Sequence, residues 1–208
     1  MTQITAPKAP SLPAAPTQYD QRFHDQYGSL LRLYFSKSDD TWQNLFGYYG
    51  GNYLDSSYGA FSSTATQTAA VINTAYAVTF DTTQHSHGVA VDTTVTSRVV
   101  VSYSGYYNLQ FSAQVDKTNA SVGNVWLWLR IDGTDVANSA QKVAVQGSTG
   151  QAVVSWNSIH SVSAGSFFQL MWAADDTHCR LLAAAASAPV PAIPAATLTL
   201  TRVSGQIT

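Results

Sequence analysis

The chain reads as an all-β protein, an antiparallel β-sandwich or jelly roll with an extended N-terminal arm and one short amphipathic helix. Three observations predict this. Between residues 75 and 203, short runs rich in Val, Thr, Tyr and Trp alternate in polarity and are broken by Gly and Asp, the pattern of strands and tight turns. The first sixteen residues carry four prolines among small side chains, a composition that keeps a chain extended and gives it no core. Charged residues make up only 11% of the 208, and glutamate is absent, against roughly a quarter charged in an average soluble domain. So little charge cannot clothe an ordinary solvated surface, and it predicts a component of an assembly.

The elements follow in order. Residues 1–37 form the arm and helix: Phe23, Tyr27, Leu30, Leu31 and Tyr34 recur at helical spacing on one face, with Thr17 as the expected cap and Asp20 in the first turn. Gly28 weakens this helix by about 1 kcal/mol relative to Ala, so the apolar face needs a partner, and these five residues are the candidate docking surface. Residues 38–74 read as an irregular aromatic and Gly-rich connector whose Trp42, Phe46, Tyr48, Tyr49 and Tyr53 imply an interface.

Residues 75–208 form the sandwich. Tyr107, Leu109, Phe111, Ala113 and Val115 share one face of a long strand opened by Gly105; Tyr106, Asn108, Gln110, Ser112 and Gln114 share the other, so one face is core and the other polar but uncharged. In 124–132, Val125, Leu127, Leu129 and Ile131 alternate with Trp126, Trp128 and Arg130, and Asp132-Gly133 signals a two-residue hairpin. Further runs at 75–81, 97–103, 151–162, 167–173, 179–183 and 196–203 complete the set, enough short strands for a sandwich or jelly roll.

Composition excludes several functions. A single cysteine, Cys179, rules out an intrachain disulfide and a CxxC zinc site. The net charge of -2 is spread without a basic stripe, so nucleic acid is not an expected partner. The opening MTQITAPKAPSLPAAP lacks a basic and apolar leader, and the longest aliphatic stretch, 181–186, is too short to cross a bilayer; the expectation is a soluble product of the cytosol with no membrane partner.

Few residues invite chemistry. His85 and His87 lie two apart on an extended segment, with Asp81 or Asp92 as a further ligand for a metal; a polar loop before a strand at 88–91 is the competing account. Asp175-Asp176-Thr177-His178 has the oxygen density of a calcium loop without its spacing or its bidentate Glu, and a turn is expected. Cys179 next to His178 sends its side chain to the opposite face on a strand, so it reads as a core residue. No GxSxG elbow or separable carboxylate pair occurs, and neither catalysis nor a cofactor is assigned. Trp126, Trp128 and Arg130 suit either a subunit interface or a stacked sugar; the scarcity of charge favours the interface.

The order of motifs resembles the trimeric jelly roll shared by the complement globular head and the tumour necrosis factor superfamily: SGYYNLQFSAQV (104–115), VWLWLRIDGTDV (125–136), VSAGSFFQLMW (162–172) and ATLTLTRV (196–203). That resemblance implies a homotrimer. The arm and helix LPAAPTQYDQRFHDQYGSLLRLYF (12–35), the Gly-Ala-Phe at 59–61 and NTAYAVTFDTT (73–83) make the whole layout similar to virion structural proteins of tailed bacteriophages. What this implies is a capsid decoration or cement protein, or a fibre component, made in the host cytoplasm and attached to capsid or other virion proteins by its N-terminal region. The alternative is a trimeric head that binds a receptor or host surface glycan. The insertion SAPVPAIPA (187–195) and the His-containing loop at 84–88 depart from the complement-like pattern, so no ligand site transfers.

Overall fold

The computed structural model describes residues 7–46 and 56–204. They fall into two compact units, one holding the N-terminal residues through 46 and the other beginning at Ser56.

In the first unit, residues 7–16 run without regular hydrogen bonding and the chain bends at Thr17 and Gln18. Helix α1 (Gln21–Phe46) follows. Its cap is Asp20 rather than Thr17. The Asp20 carboxylate accepts from the Arg22 backbone N–H at 2.9 Å, which satisfies one orphan donor of the first turn, and the Asp20 carbonyl accepts from His24 N–H, the first intrahelical bond. The helix is long rather than short, because no Gly or Pro interrupts residues 29–46 and the next Gly is Gly47. Trp42 and Phe46, expected in an irregular connector, are therefore helical, and their rings stack at 5.1 Å. Tyr48, Tyr49 and Tyr53 lie outside the described residues.

The second unit is an all-β sandwich of fourteen strands: β1 (Tyr58–Ser63), β2 (Gln67–Thr68), β3 (Tyr76–Ala77), β4 (Thr82–His87), β5 (Val89–Val91), β6 (Val99–Val101), β7 (Gly105–Lys117), β8 (Val122–Ile131), β9 (Thr134–Asp135), β10 (Gln141–Gln146), β11 (Gln151–Val162), β12 (Phe167–Ala174), β13 (Cys179–Leu181) and β14 (Ala196–Ser204). One sheet has the order β11-β7-β14-β1-β4, with β13 beside the far end of β7 and β2 beyond it; the other has β10-β8-β12-β6-β5, with β9 on β8 and β3 on β12. All named strand pairs are antiparallel. Along the chain, β7, β8, β11, β12 and β14 alternate between the sheets, so each inner face is assembled from distant segments.

The inward residues read from β7 and β8 form the core: Tyr107, Leu109, Phe111, Ala113 and Val115 meet Val125, Leu127 and Leu129, with Phe168, Leu170 and Trp172 from β12. The Asp132-Gly133 hairpin forms as expected. Both residues have positive φ, 49° and 81°, and Ile131 pairs with Thr134 around them, the geometry of a two-residue primed turn.

The sandwich begins earlier than residue 75. β1 lies within the expected connector, hidden by its small residues (YGAFSS) but enclosed between β14 and β4. The expected polar loop at 84–88 is largely β4, whose side chains are almost all exposed; it is strand because its backbone pairs with β1, and polar because it is an edge. In 75–81 only Tyr76–Ala77 pair as strand, although Val78 and Phe80 are buried.

Candidate interaction surfaces

The outward face of the first sheet is built from successive rungs in register. Ile159, Asn108 and Thr201 form one; Asn157, Gln110 and Thr199 the next; then Ser155, Ser112 and Thr197; then Val153 and Gln114. None of these eleven side chains is ionisable. At the far end the rung of Gln151 and Asp116 closes on Arg180, which donates to the Asp116 carboxylate through Nε at 2.7 Å and a second nitrogen at 2.9 Å. Between these limits the surface is amide, hydroxyl and hydrocarbon, with a hollow of about 470 Å³ against Gln110, Ser112, Asn157 and Thr199. Val153 and Ile159 are 59% and 60% exposed, and the buried Asn108 carboxamide oxygen accepts no hydrogen bond.

The outward face of the second sheet holds Trp126, Trp128 and Arg130, so the structure puts these residues and the uncharged face on opposite sides of the sandwich. All three are half-buried and already partnered. Lys142, paired across from Trp126, places its ammonium 5.4 Å from the indole. Trp128 Nε1 and Arg130 Nε both donate to Asp135, at 2.9 and 2.7 Å. Those bonds, Arg130 first, hold the Asp135 carboxyl below the usual carboxylate range. Arg98 lies over Phe167 at 4.4 Å, and Gln169 donates to Ser97.

On α1, Phe23, Tyr27, Leu30, Leu31 and Tyr34 lie along one side and are each half-buried. Leu33, Phe35, Trp42 and Phe46 are much more exposed.

The polar loops are structurally occupied. The Asp81 carboxylate accepts from Thr64 N–H, Thr64 Oγ and Thr82 Oγ within 3.0 Å, and Asp92 accepts from the Thr94 and Val95 N–H groups. His85 and His87 are exposed on β4, opposite Ala60 and Tyr58. Among the described residues no three His, Cys, Asp or Glu side chains come together as a metal cluster. Asp175 is engaged by the N–H and side-chain amide of Asn124.

Sequence reasoning overlooked Lys117. It ends β7 with its side chain fully buried, and its ammonium is 2.7 Å from Asp176 Oδ2 and bonded to Asn119 Oδ1 and Ser121 Oγ. Lys117 first and then the His178 N–H hold the Asp176 carboxyl well below its ordinary value. A Cβ at Gly123 would sit 2.5 Å from Cys179 Sγ and 2.7 Å from Lys117 Cε, so the glycine makes room for both. Cys179 is buried as expected, and burial, then Asp176, pushes its thiol up, which leaves little thiolate. His178 lies outside, its Nδ1 2.9 Å from Asp176. No sequence period marks this cluster, because its members are brought together from the ends of β7, β8 and β12.

No family model and no curated protein matches the chain. No helix among the described residues is long and apolar enough to cross a membrane.

Proposed function

We propose that this protein is a homotrimeric virion structural protein of a tailed bacteriophage, attached by its N-terminal unit and decorating or cementing the capsid. The observation that carries the reading is the uncharged patch on the outward face of β11, β7 and β14. A patch of eleven outward side chains on β11, β7 and β14, none of them ionisable and two of them well-exposed aliphatic residues, suits another neutral surface, which neighbouring copies of this chain can supply. In a trimer like the resembled one, this patch packs around the threefold axis against a different part of each neighbouring copy, a heterologous contact that closes after three copies. The alternating passage of β7, β8, β11, β12 and β14 between two antiparallel sheets supports a jelly-roll path. In this reading the copies meet at the uncharged patch, not at Trp126, Trp128 and Arg130, which already have partners within one chain in Lys142 and Asp135.

Attachment falls to the N-terminal unit, a compact unit of its own that carries apolar side chains along α1. Deleting residues 1–46 is expected to leave a trimer with unchanged β-sheet circular dichroism but abolish incorporation into particles. A truncated protein that still incorporates, or that becomes monomeric, overturns the assignment.

A second reading, a receptor- or glycan-binding head, is favoured by Trp126 and Trp128 lying half-exposed side by side with Lys142 and Arg130. A glycan array separates the two: binding lost in Trp126→Ala supports the head, and no binding supports the shell component.

A further inference from the structure

The prolines of the arm fall at every third position, Pro7, Pro10, Pro13 and Pro16. A polyproline II helix has three residues per turn, so this spacing stacks the rings into one stripe. In the structure Pro7, Pro10 and Pro13 are half-buried, whereas Lys8, Ala9, Ser11 and Leu12 between them, and Ala14, Ala15 and Pro16 beyond them, are exposed. The helix shows the matching pattern. Leu33 and Phe35 record what a bare face of α1 leaves open, 55% and 59%, while Phe23, Tyr27, Leu30 and Tyr34 on the other side are substantially more covered.

The two stripes fit in length. Pro7 to Pro13 spans about 19 Å at the polyproline rise of about 3.1 Å per residue, and Phe23 to Tyr34 spans about 17 Å at the helical rise of about 1.5 Å. A bend at Thr17 and Gln18 lies between them, and Tyr19 stacks on His24 at 5.1 Å just past it. Proline rings against aromatic side chains are a recurrent pairing, because the polyproline helix is preformed and loses little entropy on docking.

We infer that residues 7–34 form a polyproline–helix hairpin in which Pro13 faces Phe23, Pro10 faces Tyr27 and Pro7 faces Leu30 and Tyr34. The occupant of this apolar helix face is the chain's own arm, so the N-terminal unit is a folded module and not a loose tether. This holds whether or not the protein attaches to a particle.

The test uses the full chain. Cysteines at Pro10→Cys and Tyr27→Cys should cross-link within one chain on mild oxidation, and the pair Pro10→Cys and Leu33→Cys should not; Cys179 is buried and does not compete. Cross-linking at Leu33 equal to that at Tyr27, or only between chains, overturns the hairpin. Independently, replacing Pro7, Pro10 and Pro13 with serine should speed amide exchange in residues 23–34 at least about fivefold while leaving β7 and β11 unchanged, the signature of local rather than global opening. Unchanged exchange in α1 also overturns it.

Discussion

The two outward faces of the sandwich are built from the same fold element and solve the problem of sparse charge in opposite ways. On the β10-β8-β12-β6-β5 sheet, the few charged residues are spent on the aromatics: Lys142 lies by Trp126, Asp135 takes bonds from Trp128 and Arg130, and Arg98 covers Phe167. On that face the aromatics and the charged groups partner one another, although Arg98 Nε is buried without a hydrogen-bond partner. On the β11-β7-β14-β1-β4 sheet, four rungs of amides, hydroxyls and aliphatic groups carry no ionisable side chain, and Asn108 keeps an unused buried acceptor. If the proposed assembly holds, the difference makes large aromatics with cations and carboxylates within reach a weaker marker of an interface than neutrality over a contiguous area.

The largest effect should come from placing a charge in the middle of the neutral face. Gln110→Asp is expected to convert a species of about 67 kDa, three times 22.3 kDa, into monomer by light scattering while the β-sheet dichroism stays native, since an uncompensated charge in a buried interface costs several kcal/mol. An unchanged mass would assign assembly to another surface.

Next is the buried pair at the end of the sandwich. Asp176→Ala leaves the Lys117 ammonium buried without its carboxylate and should cost about 3 to 5 kcal/mol of folding stability, read as a fall in midpoint denaturant; Lys117→Met together with Asp176→Ala should recover much of it. If the double variant is no more stable than the single one, the pair is not the source of the loss.

Titration offers an intermediate test. Burial lowers the His160 pKa, and the Lys117 and His178 bonds lower that of Asp176. In both cases the unfolded chain takes up protons first, so stability is full above the unfolded value and is lost as pH falls. The His160 part should disappear on acidifying below about 6.5 and the Asp176 part below about 3.9. His160→Gln should flatten the first slope only, and melting curves across pH would expose any other outcome.

The smallest effects belong to the self-clothed face. Trp126→Ala should lower stability by about 1 to 2 kcal/mol without changing the oligomer, and Asp135→Ala, which removes a largely exposed ion pair, by less than about 1 kcal/mol. Dissociation by Trp126→Ala would move the interface to that sheet and reverse the comparison drawn from the two faces.

Much of the sandwich was legible because alternation with period two survives any tertiary arrangement. β7, β8, β11, β12 and β14 were readable to within a few residues, and so was the Asp132-Gly133 turn, whose positive φ angles few other pairs accept. The neutral side of β7 was also visible as Asn108, Gln110, Ser112 and Gln114. β1 and β4 were not, because YGAFSS and TTQHSH lack the apolar half of the pattern and become strands only through pairing with each other and with β14. The continuation of α1 to Phe46 was missed because Ser36, Ser38, Asp39 and Asp40 weaken a helix without stopping it.

By itself the sequence determined the all-β class, the core sides of the long strands, the scarcity of charge and the threefold proline spacing, since each depends on residues near one another along the chain. Only the tertiary structure decided which neutral strands lie side by side, that Trp126 and Trp128 face away from them, and that Lys117 is buried against Asp176. Those facts arise from pairings between β7, β11 and β14 and from the meeting of distant strand ends, and long-range register of that kind has no local signal.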